Sequence, residues 1–239
     1  MTVPITEISQ QKAARIAGIL YLLIIIAGIF AEFFVRSSLI VPGDAEATAS
    51  NIIASEGLFR IGIASDFIMI MSDVALALVF YVLFKPVSNA LALLAAFFRL
   101  AQAVALGINL LNLFFVLLLL SGADHLTVYS QDQLNAQVLL FLDAHSIGYS
   151  IALVFFGFSL LVLGYLVFKS GYFPKILGIL LLVASLGYLI DSFANFLMSN
   201  YEAYEAIFTV VVFVPAFIAE LALCLWLLIK GAKIPEIES

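Results

Sequence analysis

Ala95-Ala96-Phe97-Phe98-Arg99-Leu100-Ala101-Gln102-Ala103 sets an arginine and a glutamine inside a run that stays apolar as far as Leu120. Such a run is longer than the roughly 20 residues that a membrane crossing needs. A guanidinium near the middle of a bilayer costs at least about 2.5–3.5 kcal/mol on insertion scales, so it is kept only where acids, water or a ligand meet it. The helix carrying Arg99 must therefore turn this face toward protein, and the rest of the chain has to supply that protein.

Composition agrees. Hydrophobic residues make up 65% of the 239 positions and charged ones 11%, against about 45–50% and about 25% in an ordinary soluble domain. A soluble protein is excluded. The formal net charge of −6 has meaning only once the charges are placed relative to the membrane; membrane lipids are the expected surroundings, and no nucleic-acid partner is expected. The single cysteine, Cys224, lies in the last apolar run and reads as a small buried filler.

Outward from Arg99 the sequence divides into six apolar runs, at about 14–36, 60–84, 88–120, 135–168, 174–198 and 206–230. The expectation is a single all-α transmembrane domain over residues 1–239, a polytopic six-helix bundle. The first run is long for a secretory signal, and no cleavage is expected. Residues 37–59, with the turn signal Pro42-Gly43-Asp44, and 121–133 read as polar loops. Asn89 is suited to cap the third helix, Pro174 to open the fifth, and Pro215 to kink the sixth. Lys12, Arg15, Lys85, Lys169, Lys175, Lys230 and Lys233 fall on one side, and the positive-inside rule places that side and both termini in the cytoplasm of a cell with this protein in its inner membrane. Tyr81-Val-Leu-Phe-Lys85 and Tyr165-Leu-Val-Phe-Lys169 echo each other, either as a vestige of hairpin duplication or as common interfacial anchoring.

Counting inward at 1.5 Å per residue gives each polar group a depth. Arg99 and Glu220 come out about 15 Å deep and Asp73 about 18 Å, near the middle of a hydrocarbon core of about 30 Å. Glu32, Asp66, Asp191, Asn109, Asn195 and Tyr149 fall at roughly 24–30 Å, with His145 and Asp143 further out. Arg99 and Gln102 are neighbours on one helix surface, as are His145 and Tyr149, Asp191 and Asn195, and Glu32 and Arg36. The expected shape is an outward-facing, acid-rich polar cavity floored by Arg99. Its acids outnumber its bases, so some should be protonated, hydrated or bound to a cation. Arginine–carboxylate pairs that merely fix helix register are the plainer explanation of the same residues.

Phosphate-loop, His-Glu-x-x-His, Gly-x-Ser-x-Gly and paired-cysteine motifs are missing from the sequence. No cofactor can be named. His145 with Asp143 and Asp191 or Glu32 is the weak metal-site candidate, needing three protein ligands and a water.

Four segments carry a resemblance: Leu142-Asp143-Ala-His145-Ser-Ile-Gly148-Tyr149, Phe168-Lys-Ser-Gly-Tyr-Phe-Pro174, Gly187-Tyr-Leu-Ile-Asp191-Ser-Phe-Ala-Asn195-Phe, and Glu220-Leu-Ala-Leu-Cys224-Leu-Trp226-Leu-Leu-Ile-Lys230-Gly. Together they resemble a bacterial membrane family catalogued as domain of unknown function 4386, over about Ala13 to Gly231. Where that family often has Arg-x-x-Glu-Ala, this chain has Arg99-Leu-Ala-Gln102-Ala. The resemblance implies a six-helix bacterial inner-membrane protein and no particular activity.

Three functions fit these residues. The first is binding or transport of a small solute, lipid or cation through Arg99, Glu220, Asp73, Gln102, Asp191, Asn195, Asn109, Tyr149, His145 and Asp143. The second is a membrane-embedded enzyme acting on a lipid or small amphiphile through His145 and Asp143. The third is a structural or assembly subunit.

Overall fold

The computed structural model describes residues 9–233, apart from the side chains at positions 202, 205 and 209. The described residues are helical, without strands. Six helices are long and apolar enough to cross a membrane: α1 (Gln10–Leu39), α3 (Glu56–Phe84), α4 (Asn89–Leu119), α5 (Gln131–Ser170), α6 (Lys175–Leu197) and α7 (Ala206–Ile229). A short α2 (Ala45–Ala54) lies between the first two. In hydrocarbon only a helix can satisfy its own backbone, which is why every long apolar run adopts this one conformation. The chain is a multi-pass membrane protein.

Several boundaries differ from the expected ones. The helices at 14–36, 60–84 and 135–168 each begin about a turn earlier, because Gln10, Glu56 and Gln131 prolong the helix beyond its apolar part; intrahelical hydrogen bonds do not end where hydropathy does. The segment 37–59 is not simply a polar loop. Asp44 accepts a hydrogen bond from the Ala47 backbone N–H at 2.9 Å and so nucleates α2. The cap of α4 is Ser88 rather than Asn89: the Leu91 N–H donates to Ser88 Oγ at 3.4 Å, while Asn89 Oδ1 accepts from the Tyr81 hydroxyl at 3.0 Å.

Two helices contain a wider, π-helical turn. In α1 it covers Phe30–Arg36, where the Ser37 N–H reaches back to the Glu32 carbonyl. In α7 it covers Thr209–Phe213, just before Pro215. Proline cannot donate to the preceding turn and crowds the carbonyl four residues back, and a widened turn makes room for it.

The helices form two compact units. The first takes in the residues up to Leu22, Asp73–Ala101 and those from Leu153 onward; the second takes in Leu23–Ser72 and Gln102–Ala152. In the first unit, α1 and α7 are tied by Gln11 Nε2 donating to the Lys230 carbonyl at 3.3 Å, by the Ala232 N–H donating to Gln11 Oε1 at 2.9 Å, and by Arg15 donating to the Leu228 carbonyl. The α5–α6 turn joins the same end: Gln10 donates to the Tyr172 hydroxyl, and the Lys233 N–H to the Tyr172 carbonyl. Phe84, closing α3, packs on Phe173 at 5.8 Å. These contacts collect the first and last helix ends and both short connections at one end, and with them the seven basic residues predicted to lie together. Within this unit α5 and α6 pass closely. A Cβ added at Gly178 would lie 2.7 Å from the Gly164 carbonyl oxygen, so Gly178 permits close packing of the small-residue type that membrane helices use.

The second unit is built on an apolar cluster that includes Ile52, Phe59, Leu106, Leu110, Leu113, Val138 and Leu142. Gly28 and Gly62 let α1 and α3 come together beside it, against Met69 and Val35 respectively, and Ser65 Oγ donates to the Ala27 carbonyl at 3.1 Å.

Candidate functional site

In the first unit α4 carries Arg99 and α3 carries Asp73, and the two are each only 1% exposed. Arg99 Nη2 lies 2.6 Å from Asp73 Oδ1. Aromatic rings wall the guanidinium: its carbon is 5.4 Å from the centroid of Tyr21, 5.9 Å from Phe80 and 5.3 Å from Phe156. A desolvated cation over an aromatic face gains about 2 kcal/mol, so α1, α3 and α5 each contribute to holding the charge. The Nε and Nη1 groups find no hydrogen-bond acceptor among the described residues.

Beside this box lies a second carboxylate. Glu220 on α7 accepts from the Tyr21 hydroxyl at 3.0 Å and from the Tyr188 hydroxyl, on α6, at 2.6 Å. The Tyr21 ring thus faces Arg99 while its hydroxyl binds Glu220. Tyr188 and Phe156 pack edge to face at 5.2 Å, which joins the carboxylate's phenol to the guanidinium's aromatic wall. Six helices thereby place one arginine, two acids and four aromatic rings together, including the three charges that the depth count assigned to one level.

The second unit holds a different arrangement. Arg36 donates through Nη1 to Asp66 at 2.6 Å and through Nε to Glu32 at 2.8 Å, and the widened turn of α1 carries both Glu32 and Arg36. Nearby, Asn112 Nδ2 donates to Asn109 Oδ1 at 2.9 Å, and Asn109 Nδ2 donates to the His145 carbonyl at 2.9 Å and meets His145 Nδ1 at 3.1 Å. Gly148 makes the arrangement possible, since a Cβ there would lie 2.0 Å from Asn109 Oδ1. The His145 and Tyr149 rings are 6.3 Å apart. Asp66, His145 and Tyr149, with Met69, Ile70, Leu106 and Leu110, line a closed seam that has no room for a water molecule.

Gln102 is buried on α4. Asp191, on α6 in the first unit, accepts from the Tyr201 hydroxyl at 2.7 Å, with Asn195 half-buried one turn on. Asp143 is exposed whereas His145 is buried; two residues apart, they point about 200° away from each other around α5. No three His, Cys, Asp or Glu residues among those described converge as a metal site.

A family model described as a domain of unknown function, DUF4386, matches residues 16–231. The chain belongs to this family. A relative from Archaeoglobus fulgidus, described as an uncharacterized protein, is 34% identical over 177 residues, covering 74% of this chain and 88% of its own. No solved structure matches. In this DUF4386 member, sequence reasoning missed Tyr21, Tyr188 and Phe156. A signal existed for the tyrosines: both lie well inside apolar runs, away from the interfacial belts, where a phenol needs a hydrogen-bond partner.

Proposed function

We propose that the protein binds a small solute or cation and moves it across the membrane, with Asp73, Arg99 and Glu220 as the groups that exchange charge with it. One observation carries this reading. Arg99 is fully buried beside Asp73, yet two of its donor groups have no acceptor among the described residues. Buried donors without acceptors are costly, and a charge so placed is an ordinary mark of an ion or solute path. Uptake of a proton or cation by Asp73 would loosen its hold on the guanidinium. Arg99 would then turn its donors to an anionic group of the solute or to Glu220, whose two phenols keep it in place meanwhile. Pro215 and the widened turn lie on the helix that carries Glu220 and supply a bend at which it can move. By the positive-inside rule, the end that gathers the seven basic residues faces the cytoplasm of a cell whose inner membrane holds the protein.

The test is proton flux into vesicles of purified protein, read by an internal pH dye under an imposed gradient. The reading expects a flux above that of empty vesicles, lowered at least tenfold by Glu220→Gln and by Asp73→Asn. A folded wild-type protein with no flux of protons, or of sodium or potassium tried in turn, rejects it; so does a flux indifferent to both substitutions.

A further inference from the structure

Charge in the Arg99 box does not balance. One guanidinium meets two carboxyls there, so with both acids ionised one negative charge is left over. An unmatched charge away from water is costly. Among the described residues, the charged or titratable groups that face Glu220 are Tyr21 on α1, Asp73 on α3, Arg99 on α4 and Tyr188 on α6, all within the first unit.

The two acids are held differently. Asp73 lies 2.6 Å from Arg99 Nη2 and is its ion-pair partner. Glu220 instead has two phenols, the Tyr21 hydroxyl at 3.0 Å and the Tyr188 hydroxyl at 2.6 Å. Phenols suit a carboxyl in either state, because a hydroxyl donates to an ionised oxygen and accepts from a protonated one. Arg99, 1% exposed, also keeps Nε and Nη1 without an acceptor among the described residues. Its guanidinium lies 5.4 Å from the centre of the Tyr21 ring, whose hydroxyl holds Glu220, so the second carboxylate and the unused donors share one box.

On the reading of this box as a transport site, we infer that the ion it exchanges is the proton, and that it holds one proton shared between Glu220 and Asp73, with Arg99 pairing whichever acid is ionised. Glu220 carries the proton while Asp73 is ion-paired. In the exchange the O–H bond on Glu220 breaks, an O–H bond forms on Asp73, and the guanidinium keeps its charge and changes partner. The box is neutral before and after. A sodium or potassium ion in the proton's place would need a shell of oxygen lone pairs and room beside a fixed positive charge. Here Tyr21, Asp73 and Arg99 are each at most 1% exposed, and aromatic rings wall the guanidinium. A proton needs only a lone pair on an oxygen already present.

Infrared spectra of the full chain in lipid vesicles at neutral pH read the C=O stretch of an un-ionised carboxyl, identified by its shift in heavy water. One such band of the wild type should vanish in Glu220→Gln, which leaves Asp73 paired with Arg99. It should vanish equally in Asp73→Asn, where Glu220 ionises to neutralise Arg99. The Arg99→Met, Asp73→Leu double variant leaves Glu220 without a cation and should recover the band, which decides the matter if Asp73→Asn fails to fold. A spectrum unchanged by Glu220→Gln, a band that persists in folded Asp73→Asn, or its absence from the double variant overturns the proposal. In vesicles with N-methylglucamine as the only other cation, proton flux should equal that in sodium or potassium buffer, and a flux that requires either metal ion also overturns it. Absence of flux for every ion would reject the transport reading alone, and the infrared band would still decide whether Glu220 and Asp73 share one proton.

Discussion

Arg36 and Arg99 are both buried guanidiniums in membrane-spanning helices, and their surroundings differ in kind. Arg36 meets two carboxylates, one on its own helix and one on α3, and Glu32 is half exposed. Arg99 lies 2.6 Å from Asp73 and is otherwise faced by Tyr21, Phe80 and Phe156. Carboxylates neutralise a guanidinium and occupy its donors; aromatic faces stabilise the charge and leave the donors unused. In the proposed function, Arg36 stays paired as it is and Arg99 changes partners.

The largest effect should follow from removing an acid beside each arginine. Asp73→Asn takes the carboxylate at 2.6 Å away from the buried Arg99 charge, at a cost of about 3–5 kcal/mol. Asp66→Asn should cost less, because Arg36 keeps Glu32. Thermal unfolding of the purified protein in one detergent compares the two, and equal losses would erase the distinction. Gly148→Ala comes next. The new methyl would displace the Asn109 amide, with a loss of about 1–3 kcal/mol typical of overpacking, read in the same unfolding experiment. Glu32→Gln should matter least, at about 0.5 kcal/mol, since its exposed side of the ion pair is screened; a larger loss would mean that Arg36 depends on Glu32 as much as on Asp66.

Much of this was legible in the sequence. Apolar runs longer than a bilayer is thick admit only one backbone solution, so the six helices could be counted from hydropathy. Depth counting put Arg99, Asp73 and Glu220 at one level because helix rise is constant, and a four-residue spacing predicted the Glu32–Arg36 pair. Less legible was whatever depends on helix rotation and neighbour order. Hydropathy treats Tyr21 and Tyr188 as apolar, although their hydroxyls anchor Glu220. The Asp66–Arg36 bond joins helices whose facing sides no local spacing reveals. Asp143 and His145 are close in sequence yet diverge around the helix, and α2 was hidden because Pro42-Gly43 reads as a turn while Asp44, the next residue, is already a cap.

The claim that the Arg99–Asp73 pair works, rather than merely holding helices in register, is tested most directly by removing both charges at once. An Arg99→Met, Asp73→Leu double variant exchanges the pair for apolar side chains. Such exchanges leave stability unchanged or raise it by about 1–4 kcal/mol, so the variant should fold and melt at or above the wild-type temperature. The account predicts that this well-folded protein, reconstituted in vesicles, has lost the ion flux of the wild type. Wild-type flux from the doubly neutral variant would contradict it and make the pair a structural bolt.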